Sequence, residues 1–153
     1  MEELLIQFWI WLGKTPEQYA NEGILFVWGH EEEDFPEFLK LMELAENVVN
    51  SNDMSEDSIN DLLTVMALDN ESESLLEYIE EFSSNEQLEQ ITRLGLIHLQ
   101  SEARWQIAEL LYRRKPKNYR QYLSELACDS HWYVRKRANN CIELLKEEGL
   151  WQD

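Results

Sequence analysis

Two nine-residue stretches of this chain follow one pattern. The first is Ala103-Arg104-Trp105-Gln106-Ile107-Ala108-Glu109-Leu110-Leu111. The second is Val134-Arg135-Lys136-Arg137-Ala138-Asn139-Asn140-Cys141-Ile142. In each, a small apolar residue precedes an arginine, and apolar or small residues recur four, seven and eight positions on. Side chains at that spacing share one face of an α-helix. A polar stretch suited to capping comes before each copy, Gln100-Ser101 and Asp129-Ser130. From Ala103 to Val134 is 31 residues, within the range of periods that mark stacked helical units.

The pattern resembles the second helix of a HEAT-like repeat, whose Val-Arg-x-x-Ala core is matched by residues 134–138. Asp129 matches the turn aspartate usual in that family. The resemblance implies an all-α fold, a short α-solenoid of antiparallel helix pairs forming one domain over residues 1–153. It also implies structural work for Arg104 and Arg135. In HEAT-like repeats such arginines bridge to the turn aspartate of a neighbouring repeat, so Arg104 with Asp129 is the candidate pair. The match is good in the C-terminal third and weaker before it. In the preceding unit Ser72 stands where the motif arginine belongs.

Taken in order, the chain carries the same rhythm. Residues 4–12 are almost wholly apolar, which suits a short buried helix ending at Gly13 or a strand. Thr15-Pro16-Glu17 is a helix start, with a capping hydroxyl, a proline in the first turn and an acid at the positive end of the dipole. Residues 24–28 form a second ambiguous apolar run. A helix opening at Phe35-Pro36 has Phe38, Leu41, Met42, Ala45 and Val49 on its apolar face. Residues 58–68 turn Ile59, Leu62, Leu63 and Met66 inward, and residues 71–82 do the same with Leu75, Leu76, Ile79 and Phe82. Residues 86–99 bury Leu88, Ile91 and Leu94, with Ile97 and Leu99 as further candidates. Pro116 opens a helix with Tyr119, Tyr122, Leu123 and Leu126 inward. The second motif helix spans about 131–147 and stops at Gly149. Second helices near positions 36, 71, 102 and 131 make about four pairs, with the N-terminal part irregular.

The net charge is −18, and its distribution says more than its sum. Residues 1–90 hold 23 Asp/Glu and 2 Lys/Arg, whereas residues 91–153 hold 8 Asp/Glu and 11 Lys/Arg. An acidic part, 1–90, therefore joins a mildly basic part, 91–153. Such a field repels phosphate and anionic lipid and steers basic proteins inward. The patterned acids are Glu31, Glu32, Glu33 and Asp34 in one loop, Asp57 and Asp61 on one helix, and Glu73, Glu77 and Glu80 on the next. Either they are solvated helix faces or they form a docking surface. Trp105 follows the motif arginine at a position turned away from the core. It is expected either to anchor a partner or to pack on the next repeat.

Catalytic chemistry finds no signature. His30-Glu31 lacks the second histidine of a zincin helix, and the chain has no phosphate loop, nucleophile elbow or calcium loop. No metal or cofactor is expected. Cys128 and Cys141 lie on expected apolar faces without Cys-x-x-Cys spacing, as buried thiols of a reducing compartment do. The chain opens without the basic region of a signal peptide, and no apolar run is long enough to span a membrane. A cytoplasmic, monomeric protein is expected. The basic stretch Arg113, Arg114, Lys115, Lys117 and Arg120 fits complementing of helix ends better than nucleic acid binding, given the acidic half.

These observations favour a protein-binding inhibitor over an enzyme. Size and acidity are similar to small bacterial immunity proteins, which neutralise toxin domains, many of them nucleases. The expected partner is a basic protein of that kind. The alternative is a HEAT-like scaffold or adaptor with a cellular partner and no inhibitory role. A HEAT-like DNA glycosylase would need a basic concave face, opposite to the charge found here.

Overall fold

The structure is a computed structural model describing residues 1–22, 32–51 and 54–151. The described residues form nine helices and no strand, so the all-α expectation is met. The helices are α1 (Glu2–Leu12), α2 (Pro16–Glu22), α3 (Phe38–Asn50), α4 (Glu56–Leu68), α5 (Ser74–Phe82), α6 (Asn85–Gly95), α7 (Ser101–Arg114), α8 (Tyr119–Leu126) and α9 (Trp132–Glu147). The first apolar run is therefore a helix. The second, residues 24–28, lies outside the described residues, as do His30 and Glu31.

Local chemistry sets the helix ends. Glu2 and Glu3 in the first turn of α1 suit its dipole. Gly13 closes α1 at φ 71, donating its N–H to the carbonyls of Trp9 and Ile10 in a conformation that glycine adopts without strain. Ser55 caps α4 by accepting from the Ser58 N–H. Ser84 and Gln87 form a capping box at the start of α6. Gln87 Nε2 also donates to Val49 O at 2.6 Å and Ser51 O at 3.0 Å, tying α6 to the end of α3. Asp69 Oδ2 accepts from the Leu75 N–H at 2.7 Å. That bond holds residues 69–73 in a turn, so α5 begins at Ser74 and not at 71.

The first motif helix, α7, lies at the centre. It packs against α4, α5, α6, α8 and most extensively α9. Ala103, Ile107, Ala108, Leu110 and Leu111 are wholly buried, as the apolar spacing requires. Gly95 lets α6 approach closely, since a Cβ there would lie 2.5 Å from Ile107 Cγ1. Gln106, also fully buried, donates from Nε2 to Met66 O at 2.7 Å and so ties α7 to α4. One contiguous apolar cluster runs from Leu5 in α1 to Leu145 in α9.

The two copies of the motif do the same structural job. Arg104 Nη1 donates to the carbonyls of His98 (2.7 Å) and Leu99 (3.0 Å). Arg135 Nη1 donates to those of Asp129 (2.7 Å) and Ser130 (2.8 Å). Each arginine thus closes the loop that leads into its own helix, with the same offsets in sequence. His98 occupies the place of Asp129. Its Nδ1 accepts from the Gln100 N–H at 3.4 Å, where Asp129 Oδ1 accepts from the His131 N–H at 2.7 Å. Arg104 also grips Asp129 through two bonds, Nε to Oδ2 at 2.8 Å and Nη2 to Oδ1 at 3.1 Å. The candidate pair is therefore present, with side chains 13% and 9% exposed. Burial alone would raise the Asp129 pKa. The Arg104 guanidinium and the His131 N–H outweigh it and hold the carboxyl below its ordinary value.

Several expectations need correction. Trp105 is 3% exposed, because α9 covers it. Its ring meets Tyr133 edge-on at 5.9 Å, and the Arg137 guanidinium lies over it at 4.3 Å. Packing against α9 is the outcome, so this tryptophan is not an exposed anchor. Phe82 is not inward; it is 53% exposed and stacks on Tyr78, one turn earlier. Ile97 and Leu99 are exposed because α6 stops at Gly95 and the chain turns away from the core. Cys128 is exposed in the turn after α8, while Cys141 is buried as expected. The helix α1 is apolar almost all round, yet only Leu5 and Phe8 are buried, leaving Ile6 and Ile10 in solvent.

Candidate functional site

The acids picked out in the sequence fall into separate places. One group surrounds the start of α5. Ser72 Oγ donates to Glu33 Oε1 at 2.7 Å, bringing the 32–37 loop against the turn before α5. Glu73 and Glu80 face α7, where Arg113 pairs with both, at 3.4 Å and 3.0 Å. These two carboxylates are half-buried links between helices, paired with Arg113. Arg114 caps the end of α5 through the carbonyls of Glu80 and Ser83. Glu77 and Asp34 are exposed, with no cation at ion-pairing distance among the described residues. Asp69 is the buried member of this region. Burial raises its pKa to about 6 against the pull of the Leu75 and Ser74 N–H groups, and Glu33 and Glu73 add to the rise.

A second acidic position is Glu32, which meets α2. Tyr19 donates its hydroxyl to Glu32 Oε1 at 2.8 Å. Burial and then the Glu32 charge push the phenol well above its ordinary range. Glu102, 7% exposed in the first turn of α7, acts on the same phenol. Its own pKa is raised by burial, although its backbone N–H and the Ser101 hydroxyl oppose the shift. Glu102 was not legible as special, since an acid in a first helical turn is ordinary.

The third place is a groove of about 320 Å³ bounded by α1, α4 and the α6–α7 connection. Leu5, Ile6 and Trp9 of α1 line it, together with Pro16 of α2 and Leu99. Asp61 and Thr64 come from α4, with Glu2, His98 and Gln100 completing the lining. Asp57 sits one turn before Asp61 on α4 and is exposed. Burial raises the Asp61 pKa; the Met1 ammonium opposes this, and Glu2 and Asp57 reinforce it. His98 is lowered to about 4, chiefly by burial, with Arg104 adding to the effect, so the ring is neutral at pH 7. Its Nδ1 takes the Gln100 N–H and its Nε2 lies 3.4 Å from Thr64 Oγ1. Both nitrogens are engaged in holding the loop, which leaves the ring poorly placed as a general base.

Among the described residues no three His, Cys, Asp or Glu side chains converge as metal ligands, and no helix is long and apolar enough to cross a membrane. Burial and then Glu109 raise the Cys141 thiol to about 12, far from the thiolate range of a nucleophile. Arg137 pairs with Glu109 at 2.9 Å, Lys115 with Glu148 at 3.8 Å and Arg93 with Glu56 at 3.9 Å. In the stretch 113–120, Arg120 Nη2 likewise donates to Leu150 O at 2.7 Å. No protein-family model, curated protein or solved structure matches the chain.

Proposed function

We propose that this chain is a protein-binding inhibitor that docks a basic partner on its acidic side. In this reading it is a short HEAT-like α-solenoid. The pairs are α4–α5, α6–α7 and α8–α9, and α3 is the second helix of an irregular first pair. What supports the arrangement is the equivalence of Arg104 and Arg135. The stacking agrees, since α4 packs on α6 while α5 packs on α7 and α7 on α9. The two cysteines are free, which suits action in the cytoplasm.

One observation carries the functional reading. Three arginines of the C-terminal part are engaged inside the molecule: Arg104 with Asp129, Arg113 with Glu73 and Glu80, Arg137 with Glu109. The surplus acid is displayed at Asp34, Asp57 and Glu77, all exposed. A surface of that sign attracts a basic protein and repels phosphate. A toxin domain such as a nuclease, whose basic cleft such a surface can cover, is the proposed partner, and immunity the proposed role. The test is stopped-flow association with the basic partner over a range of salt, alongside an assay of that partner's activity. The on-rate should fall by about tenfold or more from low to physiological salt, and activity should vanish at one-to-one stoichiometry. A salt-insensitive on-rate would refute steering. A bound partner that stays active would make the protein a scaffold.

A further inference from the structure

We propose that the groove between α1, α4 and the α6–α7 connection receives one lysine or arginine side chain of the partner protein. The stem would lie along Ile6, Trp9 and Leu99, and the cationic head would meet Asp61 and Glu2. This rests on the docking of a basic protein argued above and names the place where one of its side chains is held.

Three features point to that occupant. The first is size. The volume of about 320 Å³ is at the lower end of ligand pockets, roughly 300–1,000 Å³, and suits one long side chain better than a larger molecule. The second is the division of the walls. Ile6 and Leu99 are 52% and 48% exposed although they line a concave surface, and Trp9 adds an aromatic ring beside them. Apolar walls and carboxylates lining one groove match an alkyl stem that ends in a cation. The third is charge. No lysine or arginine lines the groove among the described residues, whereas Glu2 and Asp61 both do. His98 brings no charge at pH 7. The Met1 ammonium near Asp61 offsets part of this field, while Asp57 on the same helix adds to it. An incoming ammonium or guanidinium would recover solvation that Asp61 has lost by burial.

The proposal can be tested on the full chain without its partner. The probe is N-acetyl-lysine methylamide, titrated by ¹H–¹⁵N NMR, with N-acetyl-norleucine methylamide as the uncharged counterpart of similar shape. The lysine probe should shift the amides of Ile6, Asp61, His98 and Gln100 saturably, and the norleucine probe should bind at least fivefold more weakly. Asp61→Asn, checked for folding by its amide spectrum, should weaken the lysine probe at least fivefold, and Glu147→Gln, at the exposed end of α9, should leave it unchanged. Equal binding of both probes, no saturable shift at these residues, or full binding by folded Asp61→Asn would overturn the proposal. None of these results depends on the partner. If the probe fails while the basic protein still binds with salt-dependent kinetics, the groove assignment alone falls. If the probe binds and no basic protein does, the docking function falls instead.

Discussion

Helices α6 to α9 hold one another through bonds that recur, whereas α1 to α3 rely on a cluster of rings and scattered polar contacts. In the C-terminal part, Arg104 and Arg135 close equivalent loops, and Arg104 reaches on to Asp129 in the turn before α9. In the N-terminal part, Phe8 meets Phe35 edge-on, Trp11 meets Phe35 tilted, and Trp9 meets Tyr19, all at centroid distances of 5.5 to 5.6 Å. A short motif can encode the first device, because every partner lies at a fixed offset. The second depends on where distant elements happen to meet.

The largest expected effect comes from breaking the recurring device at its centre. Arg104→Ala leaves Asp129 buried without its guanidinium and frees two carbonyls, at a cost of about 3–5 kcal/mol, read from urea unfolding. The corresponding Arg135→Ala loses two carbonyl bonds and no carboxylate, and should cost only about 1–2 kcal/mol. Equal losses would show that the Asp129 pair adds nothing to the hold between α7 and the turn before α9.

Histidine 98 sharpens the comparison through pH. Its folded pKa of about 4 lies below the ordinary 6.5, so the unfolded chain binds the proton more tightly. Its stabilising contribution is complete above pH 6.5 and is lost as pH falls toward 4. The full swing is about 3 kcal/mol. Asp69 acts in the opposite direction, with its contribution present below 3.8 and lost as pH rises through about 6. The stability difference between wild type and His98→Gln should therefore grow by about 2–3 kcal/mol between pH 4 and 7. A difference that does not vary with pH would contradict the burial of a neutral ring.

Smaller effects follow. Gly95→Ala forces a methyl against Ile107 and should destabilise by about 1–3 kcal/mol, seen as a lower Tm. Ile10→Ser, at a position 74% exposed, should change stability by no more than about 0.5 kcal/mol. A large loss there would mean that α1 buries more than its contacts indicate.

Much of this was legible in the sequence, and the reasons for the failures are physical. The helices of α3, α4, α7 and α9 were readable because their apolar residues keep helical spacing. The Arg104–Asp129 bond was implied by the motif. Trp105 stayed open between two outcomes because its position points away from the rest of its helix's apolar face, and only the packing of α9 decides that this side is covered. Phe82 and Leu99 were misjudged because helix ends lose their periodic face where the chain turns. Glu73 and Glu80 read as solvent-facing acids, since nothing in sequence links them to Arg113 on a helix further along. The groove beside Asp61 joins α1, α4 and the 96–100 connection, and no local pattern reports such a meeting. Why Ser72 stands where the motif has arginine is partly visible: its hydroxyl serves Glu33.

The most direct test of the central claim is affinity capture from the native source with two baits, the wild-type chain and a variant with Asp34, Asp57 and Glu77 changed to their amides. The account predicts one basic protein that elutes from the wild type at moderate salt, loses its activity when bound and is absent from the variant column. The same proteins on both columns, held regardless of salt, would contradict it.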